Sequence, residues 1–263
     1  MKPEKTRKHR RLRGVYILPN LFTSGNLFCG FFAALATLKG RFLHASIAIL
    51  IAGVFDVLDG KIARMSGANS RFGIEYDSLA DLISFGLAPA LLVYSWALKP
   101  YGRVGWLAAF LFLACGALRL ARFNVQTATL DNRFFKGLPI PAAAWMIALT
   151  LLLYHRLGLR VTQEQIFILV MIYLLAFLMV SNIRYFSIKG LDLFRRKPFK
   201  SLVLLILCII IVVAEPEVTL FSIFAFYVLS GPASLLVVFW KRRAAKRVAQ
   251  KQPTPSQGLE DRP

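Results

Sequence analysis

Eight long apolar stretches, nearly free of charge, decide what this chain can fold into. Each is close to the ~20 residues that a helix needs to cross a bilayer. Apolar residues make up 57% of the 263-residue chain, which excludes an ordinary soluble core. Because backbone polar groups in lipid must be paired within the segment, we predict an all-α, polytopic integral membrane bundle of about eight helices. The stretches cover approximately residues 18–38, 42–63, 78–98, 104–123, 139–155, 163–182, 201–215 and 218–240.

Lysine and arginine residues are distributed unequally between the two sides of this predicted bundle. Of the 33, 26 fall on the side of the two termini, six fall on the other side, and Lys61 lies inside the second stretch. Basic loops stay in the cytoplasm, so both termini are predicted to be cytoplasmic and the chain to lie in the cell (inner) membrane. The net charge of +20 is then explained by anionic membrane lipids, and no nucleic acid partner is expected.

Three regions follow from this pattern. Residues 1–17 form a basic cytoplasmic N-terminal segment, residues 18–240 the transmembrane domain, and residues 241–263 a basic, disordered cytoplasmic tail. The three cysteines lie inside apolar stretches without metal-ligand spacing, so neither a disulfide nor a zinc site is expected.

Four aspartates stand where the second stretch ends and the third begins, on the cytoplasmic side. On helices, Asp56 and Asp59 (i, i+3) share one face, and Asp77 and Asp81 (i, i+4) share another. Ionised carboxylates at membrane depth are costly unless they are paired or bind a cation, so such a cluster indicates a functional site. The alternative is a set of salt bridges to nearby basic residues, namely Lys61, Arg64, Arg71, Arg119 or Arg122.

The spacing favours a metal site over salt bridges. The short segment between the two pairs allows an antiparallel hairpin in which the four carboxylates converge. Carboxylate oxygens suit Mg²⁺ or Mn²⁺, and four of them can hold two ions. Gly60 and Ala63, on the face of Asp56 and Asp59, leave room for a ligand beside the carboxylates.

The motif Asp56-x-x-Asp59-Gly60-x-x-Ala63-Arg64, eight residues, Gly73-x-x-x-Asp77-x-x-x-Asp81 resembles the signature of the CDP-alcohol phosphatidyltransferase family at every position. The resemblance implies a membrane enzyme in which an alcohol attacks the phosphorus next to the lipid of a CDP-linked lipid and CMP leaves. It further implies that the first three aspartates bind metal and that Asp81 binds metal and acts as the catalytic base. Gly60, Ala63, Arg64 and Gly73 would bind the CDP and phosphate groups, and a homodimer is implied.

Other segments resemble the bacterial and archaeal branch of the family that uses L-serine as its acceptor, with CDP-diacylglycerol as donor. These segments are LPNLFTSGNLFCGFFA at 18–33, DSLADLISFGLAPALL at 77–92, ALRLARFNV at 117–125, FKGLPIPAAA at 135–144 and MVSNIRYFSIK at 179–189. Two alternatives stay open. One is the same family with glycerol phosphate, inositol phosphate or choline as acceptor, and the other is a cation transporter that uses the aspartates as its ion site.

Several polar residues outside the motif are further candidates. Free serine is zwitterionic, so its site needs a cation for the carboxylate and acceptors for the ammonium group. Candidates for binding serine or the diphosphate are Arg119, Arg122, Asn182 and Arg184. Asn20 and Thr23, at the start of the first stretch, are candidates for nucleotide contacts, with helix capping an equally good explanation.

Overall fold

The described part of the protein is helical, apart from one pair of very short strands. The structure is a computed structural model, and it describes residues 17–66, 70–127, 135–159, 166–185, 206, 210 and 212–249. Its helices are α1 (Ile17–Leu38), α2 (Phe42–Ser66), α3 (Arg71–Asp81), α4 (Ala88–Val93), α5 (Gly102–Thr127), α6 (Ile140–Arg156), α7 (Ile166–Val180) and α8 (Pro216–Ala249). A π-helical segment, Leu82–Leu87, joins α3 to α4, and the segments Tyr94–Leu98 (π) and Lys99–Tyr101 (3₁₀) lead to α5. Strands β1 (Phe135–Lys136) and β2 (Arg184–Tyr185) pair in antiparallel fashion.

The helical character predicted for the apolar stretches is confirmed wherever the structure describes them. Within the described residues, four helical segments are long and apolar enough to cross a membrane: Leu18–Leu38, Phe42–Met65, Arg71–Val125 and Pro216–Ala233. Helices α6 and α7 are apolar but shorter. Most of the predicted seventh span, 201–215, lies outside the described residues. Helix α8 continues to Ala249, into the segment predicted as a tail.

Glycine turns reverse the chain at one end of the bundle. Gly40, Gly102 and Gly158 all have positive φ, a conformation that glycine adopts without the penalty other residues meet. The turn at Gly40 folds α2 back along α1, and Gly102 folds α5 back along the preceding helical segments. At the other end, Gly137 and Leu138 before α6 donate backbone hydrogen bonds to Ile183 and Leu178, so α6 and α7 are also antiparallel.

Helix α1 runs antiparallel to α2 and parallel to α3. The Thr23 hydroxyl reaches Asp59, whereas Asn26 reaches Asp81 and the Asn26 carbonyl accepts a hydrogen bond from Ser84. Higher residue numbers on α1 therefore face higher residue numbers on α3 and the π-helical segment after it, as in parallel helices. The parallel packing brings the first turns of α1 beside both aspartate-bearing helices, and α2 and α3 form the predicted antiparallel hairpin.

The contact between α1 and the π-helical segment is unusually close at Gly30. A Cβ atom added there would lie 2.6 Å from Cα of Ser84 and 2.9 Å from its Cβ. Gly30 and Ser84 are both buried. Small residues let helix backbones approach in this way in membrane proteins. Because the π-helical segment begins directly after Asp81, this approach sets the distance between α1 and that carboxylate.

Apolar side chains on the outside of the bundle are exposed, as expected for surfaces that face lipid. Phe28, Phe110 and Phe177 are 67%, 60% and 68% exposed. The buried positions of α2 and α6 are instead rich in alanine, with Ala45, Ala48 and Ala52 on α2 among them. Small residues therefore contribute to the packing between the described helices, while many large apolar side chains lie on the outside.

We expect Gly30→Val to lower the thermal stability of the detergent-solubilised protein, by about 1–3 kcal/mol in unfolding free energy, because the new side chain overlaps the Ser84 backbone. Thermal unfolding monitored by intrinsic fluorescence measures the change. Leu35→Val, on the exposed side of the same helix, is the matched control and should have little effect. Equal stability of both variants would contradict the close approach.

A carboxylate cluster lined by the first helix

Three of the four predicted aspartates lie close together. Asp56 and Asp59 project from the last turns of α2, and Asp77 projects from α3. One carboxylate oxygen from each lies within 4.8 Å of the others. Ser70 fixes the start of α3 because its hydroxyl accepts a hydrogen bond from the Gly73 backbone N–H, 2.9 Å away. This cap sets the position of Asp77 relative to the end of α2.

The chemistry of the cluster fits a divalent metal ion. Oδ1 of Asp77 is buried and has no hydrogen-bond partner among the described residues. Three carboxylates at this separation repel each other unless a cation neutralises them. Among the described residues the single ion pair is Arg156–Glu215, so none of the four aspartates is in a salt bridge there. Asp56, Asp59 and Asp77 could together hold Mg²⁺ or Mn²⁺, for which oxygen ligands are suited.

Asp81 lies apart from the group of three. The residue is 8% exposed, and its Oδ1 accepts a hydrogen bond of 2.9 Å from Nδ2 of Asn26. It remains close enough to Asp56 and Asp77 for their charges to repel. The four predicted metal ligands therefore differ in their surroundings: three face one another, and the fourth is held by an amide from α1.

Helix α1 lines the site with polar side chains. Thr23 is 3% exposed, and its hydroxyl donates to Oδ2 of Asp59 at 3.0 Å and also lies 3.2 Å from the carbonyl oxygen of Pro19. Asn20 lies beside Gly73, since a Cβ added to that glycine would be 3.6 Å from the Asn20 side-chain oxygen. Both residues therefore lie beside the motif, and their contact with the nucleotide stays a prediction. Thr23 lies inside α1, which begins at Ile17, so it is not the N-cap residue of that helix. Its contact with Asp59 favours the functional interpretation.

Sequence reasoning missed two residues of α1 that reach the site region. Asn26 contacts Asp81, and the Ser24 hydroxyl lies 2.9 Å from that of Tyr76 on α3. A signal was available: polar residues at 20, 23, 24 and 26 recur on neighbouring positions of an otherwise apolar helix. In a membrane helix such residues tend to face a partner helix or a site.

The small residues of the motif lie at the open side of the cluster. A Cβ added to Gly60 would meet nothing within 4 Å, so there is space beside the carboxylates. Arg64 is exposed and its Nε donates to the Gly60 carbonyl at 2.9 Å. Ala63 lies one turn after Gly60 on α2 and is partly buried. This arrangement leaves room for the ligand that the motif predicts.

The candidate residues for serine or diphosphate binding lie in three different settings. Arg119 of α5 lies close enough to Asp81 and Asp56 for its charge to attract theirs, and its Nε is buried without a hydrogen-bond partner in the described structure. Arg122 instead bonds to the side chain of Asn182 and to the Val180 carbonyl, which ties α5 to the end of α7. The backbone of Arg184 lies in β2, and its side chain is outside the described part.

This fold and site define a class: helical membrane proteins with a carboxylate cluster at the ends of two antiparallel helices. Residues 16–180 match the CDP-alcohol phosphatidyltransferase family. The chain belongs to that family, and the resemblance inferred from the aspartate motif is confirmed. Helix α8 lies beyond the matched residues, although its Phe224 packs against Trp145 of α6 with ring centroids 5.0 Å apart.

Similar proteins in other organisms carry consistent names. A CDP-diacylglycerol–serine O-phosphatidyltransferase of Helicobacter pylori is 37% identical over 88% of this chain and 98% of its own length. A protein of the same name from Bacillus subtilis is 36% identical over 64% of the chain and 89% of its own length. An archaetidylserine synthase of Methanothermobacter thermautotrophicus is 36% identical over 69% and 75%.

We expect Asp56→Asn to weaken Mn²⁺ binding by at least about tenfold, because it removes one charged ligand from the group of three. Electron paramagnetic resonance of free Mn²⁺ in a titration of the detergent-solubilised protein measures the affinity. Glu75→Gln is the matched control, since Glu75 is an exposed acidic residue of α3 outside the cluster. Equal affinities for both variants would contradict the metal site.

Proposed function

We propose that this protein transfers the phosphatidyl group of CDP-diacylglycerol to the hydroxyl of L-serine, giving phosphatidylserine and CMP. The observation that carries the proposal is the convergence of Asp56, Asp59 and Asp77 in a chain of this family. The names of the relatives support serine as acceptor and a cytidine-linked lipid as donor. The protein is thus a transferase of phospholipid synthesis.

In the proposed reaction the serine oxygen forms a bond to the phosphorus that carries the diacylglycerol. The bond from that phosphorus to the bridging oxygen breaks, and CMP leaves with the bonding electron pair. Asp81 takes the hydroxyl proton as the catalytic base, in addition to its proposed role as a metal ligand. Its Oδ1 is held by Asn26, which orients the carboxylate for this transfer.

The remaining motif residues bind the donor in this proposal. Gly60, with open space beside it, and Ala63 admit the cytidine, and Arg64 and Gly73 contact the phosphates. Asn20 and Thr23 complete the nucleotide side, where Thr23 also orients Asp59. When bound at Asp56, Asp59, Asp77 and Asp81, one or two Mg²⁺ or Mn²⁺ ions would stabilise negative charge on the phosphate oxygens.

The proposal includes an orientation in the membrane. The aspartates lie at the end of the bundle opposite the turns at Gly40 and Gly102, and the distribution of lysine and arginine supports the cytoplasmic side for that end. About eight membrane spans, cytoplasmic termini, location in the cell (inner) membrane and a homodimer belong to the same proposal. CDP-diacylglycerol would enter sideways from the inner leaflet, and L-serine from the cytosol.

Incubation of the purified protein with CDP-diacylglycerol, Mn²⁺ or Mg²⁺ and a panel of alcohols tests the function. We expect CMP release that requires L-serine and ceases when EDTA removes the metal. Asp77→Asn and Asp81→Asn should each lower the rate by at least about 100-fold, since they remove a metal ligand or the base. Liquid chromatography of CMP and of the lipid product measures both.

Glu215→Gln is the matched control for these aspartate variants, because Glu215 is an exposed carboxylate paired with Arg156 outside the cluster. Its rate should equal that of the unchanged protein. Turnover with glycerol phosphate, inositol phosphate or choline but not with serine would contradict the acceptor. Ion flux into proteoliposomes without any CMP release would instead favour the cation transporter.

A further inference from the structure

Two buried polar atoms near Asp81 lack partners in the described structure. One is the side-chain oxygen Oδ1 of Asn26, a residue with no exposed surface. The other is Nε of Arg119. Buried polar atoms are nearly always paired, so an unpaired one in a native site indicates a missing ligand or water. The unpaired Oδ1 of Asp77 is explained by the metal cluster, but these two atoms are not.

The Asn26 amide is held in one orientation. Its Nδ2 donates to Oδ1 of Asp81 at 2.9 Å, and its backbone carbonyl accepts the Ser84 hydroxyl at 2.9 Å. Exchanging the two ends of the amide would place an acceptor oxygen against the carboxylate, so the nitrogen must face Asp81. The oxygen of the same amide is therefore a fixed, unpaired acceptor next to the proposed base.

Arg119 supplies the opposite chemistry near Asp81. Its guanidinium lies close enough to interact with Asp81 first, then with Tyr227 and Asp56, although no salt bridge to either aspartate forms within the described structure. The region around Asp81 thus contains a hydrogen-bond acceptor, a carboxylate and a cationic donor. Neither Oδ1 of Asn26 nor Nε of Arg119 has a hydrogen-bond partner among the described residues.

These three groups match the ammonium, carboxylate and hydroxyl groups of a zwitterionic amino acid that carries a hydroxyl, such as serine. Resting on the function proposed above, we propose that Asn26 is a specificity-determining residue whose Oδ1 accepts a hydrogen bond from the ammonium group of the acceptor. In this arrangement Arg119 binds the carboxylate of the acceptor, and Asp81 faces its hydroxyl. An alcohol without an ammonium group would leave Oδ1 unpaired in a buried place, which a polar site rejects strongly.

The test separates recognition of the ammonium group from orientation of the base. L-alanine is serine without the hydroxyl, and propionate also lacks the ammonium group. Both are measured as competitive inhibitors of serine-dependent CMP release by the full-length protein. We expect Asn26→Leu to raise the inhibition constant of L-alanine about tenfold, the loss of one hydrogen bond to a charged group, and that of propionate less than twofold.

The variant Asn26→Asp keeps an acceptor oxygen but loses the donor to Asp81. We expect it to retain the inhibition constant of L-alanine within about twofold, or to bind L-alanine more tightly, while kcat falls because the base is no longer held. This pair of results distinguishes the inference from a purely structural role. A tenfold weaker inhibition by L-alanine in Asn26→Asp would overturn the inference. If Asn26→Leu does not fold, Asn26→Asp is sufficient as the test.

Thr37→Val is the matched control, because Thr37 is a buried polar residue of α1 whose hydroxyl, among the described residues, bonds within its own helix to the Ala33 carbonyl. It should leave both inhibition constants unchanged. Equal effects of Asn26→Leu on L-alanine and propionate, or no inhibition of the unchanged protein by L-alanine, would overturn the inference alone. Failure of the proposed function is distinct, since the unchanged protein would then release no CMP with serine.

Discussion

The mutual repulsion of carboxylates at one end of a membrane bundle is the constraint on which the rest of this structure depends. Asp56, Asp59 and Asp77 are brought within 4.8 Å of one another by two consecutive antiparallel helices. No described cation forms a salt bridge with them. Three carboxylates this close repel one another unless a cation neutralises them, so a geometry that is costly on its own is one that suits the binding of a divalent ion.

Helix α1 turns this cluster into an asymmetric site. Its parallel packing on α3 and antiparallel packing on α2 allow one helix to contact Asp59 through Thr23 and Asp81 through Asn26. The absence of a side chain at Gly30 permits the close approach to Ser84 on which this depends. The carboxylates therefore differ in their surroundings because their partners on α1 differ: a hydroxyl bonds to one member of the cluster, and an amide bonds to Asp81.

Much of the site was predictable from local spacing. Two carboxylates at i and i+3 on one helix, and two at i and i+4 on the next, must share faces, and a short connection must bring those helices together. The pairing of Arg122 with Asn182 was not predictable in this way, because it joins α5 to the end of α7, which are far apart in the sequence. Both residues were predicted as ligand-binding candidates, and in the structure they bind each other.

The amino-acid sequence by itself determined that this chain forms apolar helices of membrane-spanning length. The apolar runs are long enough to cross a bilayer, and a helix pairs the backbone polar groups of each run within the run itself. It also determined which carboxylates share a helix face. Only the tertiary structure decided that Asp81 stands apart from the other three and that Asn26 is its partner. The physical reason is that the rotation of α1 about its axis is set by distant contacts such as Gly30 against Ser84, and helical periodicity within α1 carries no information about them.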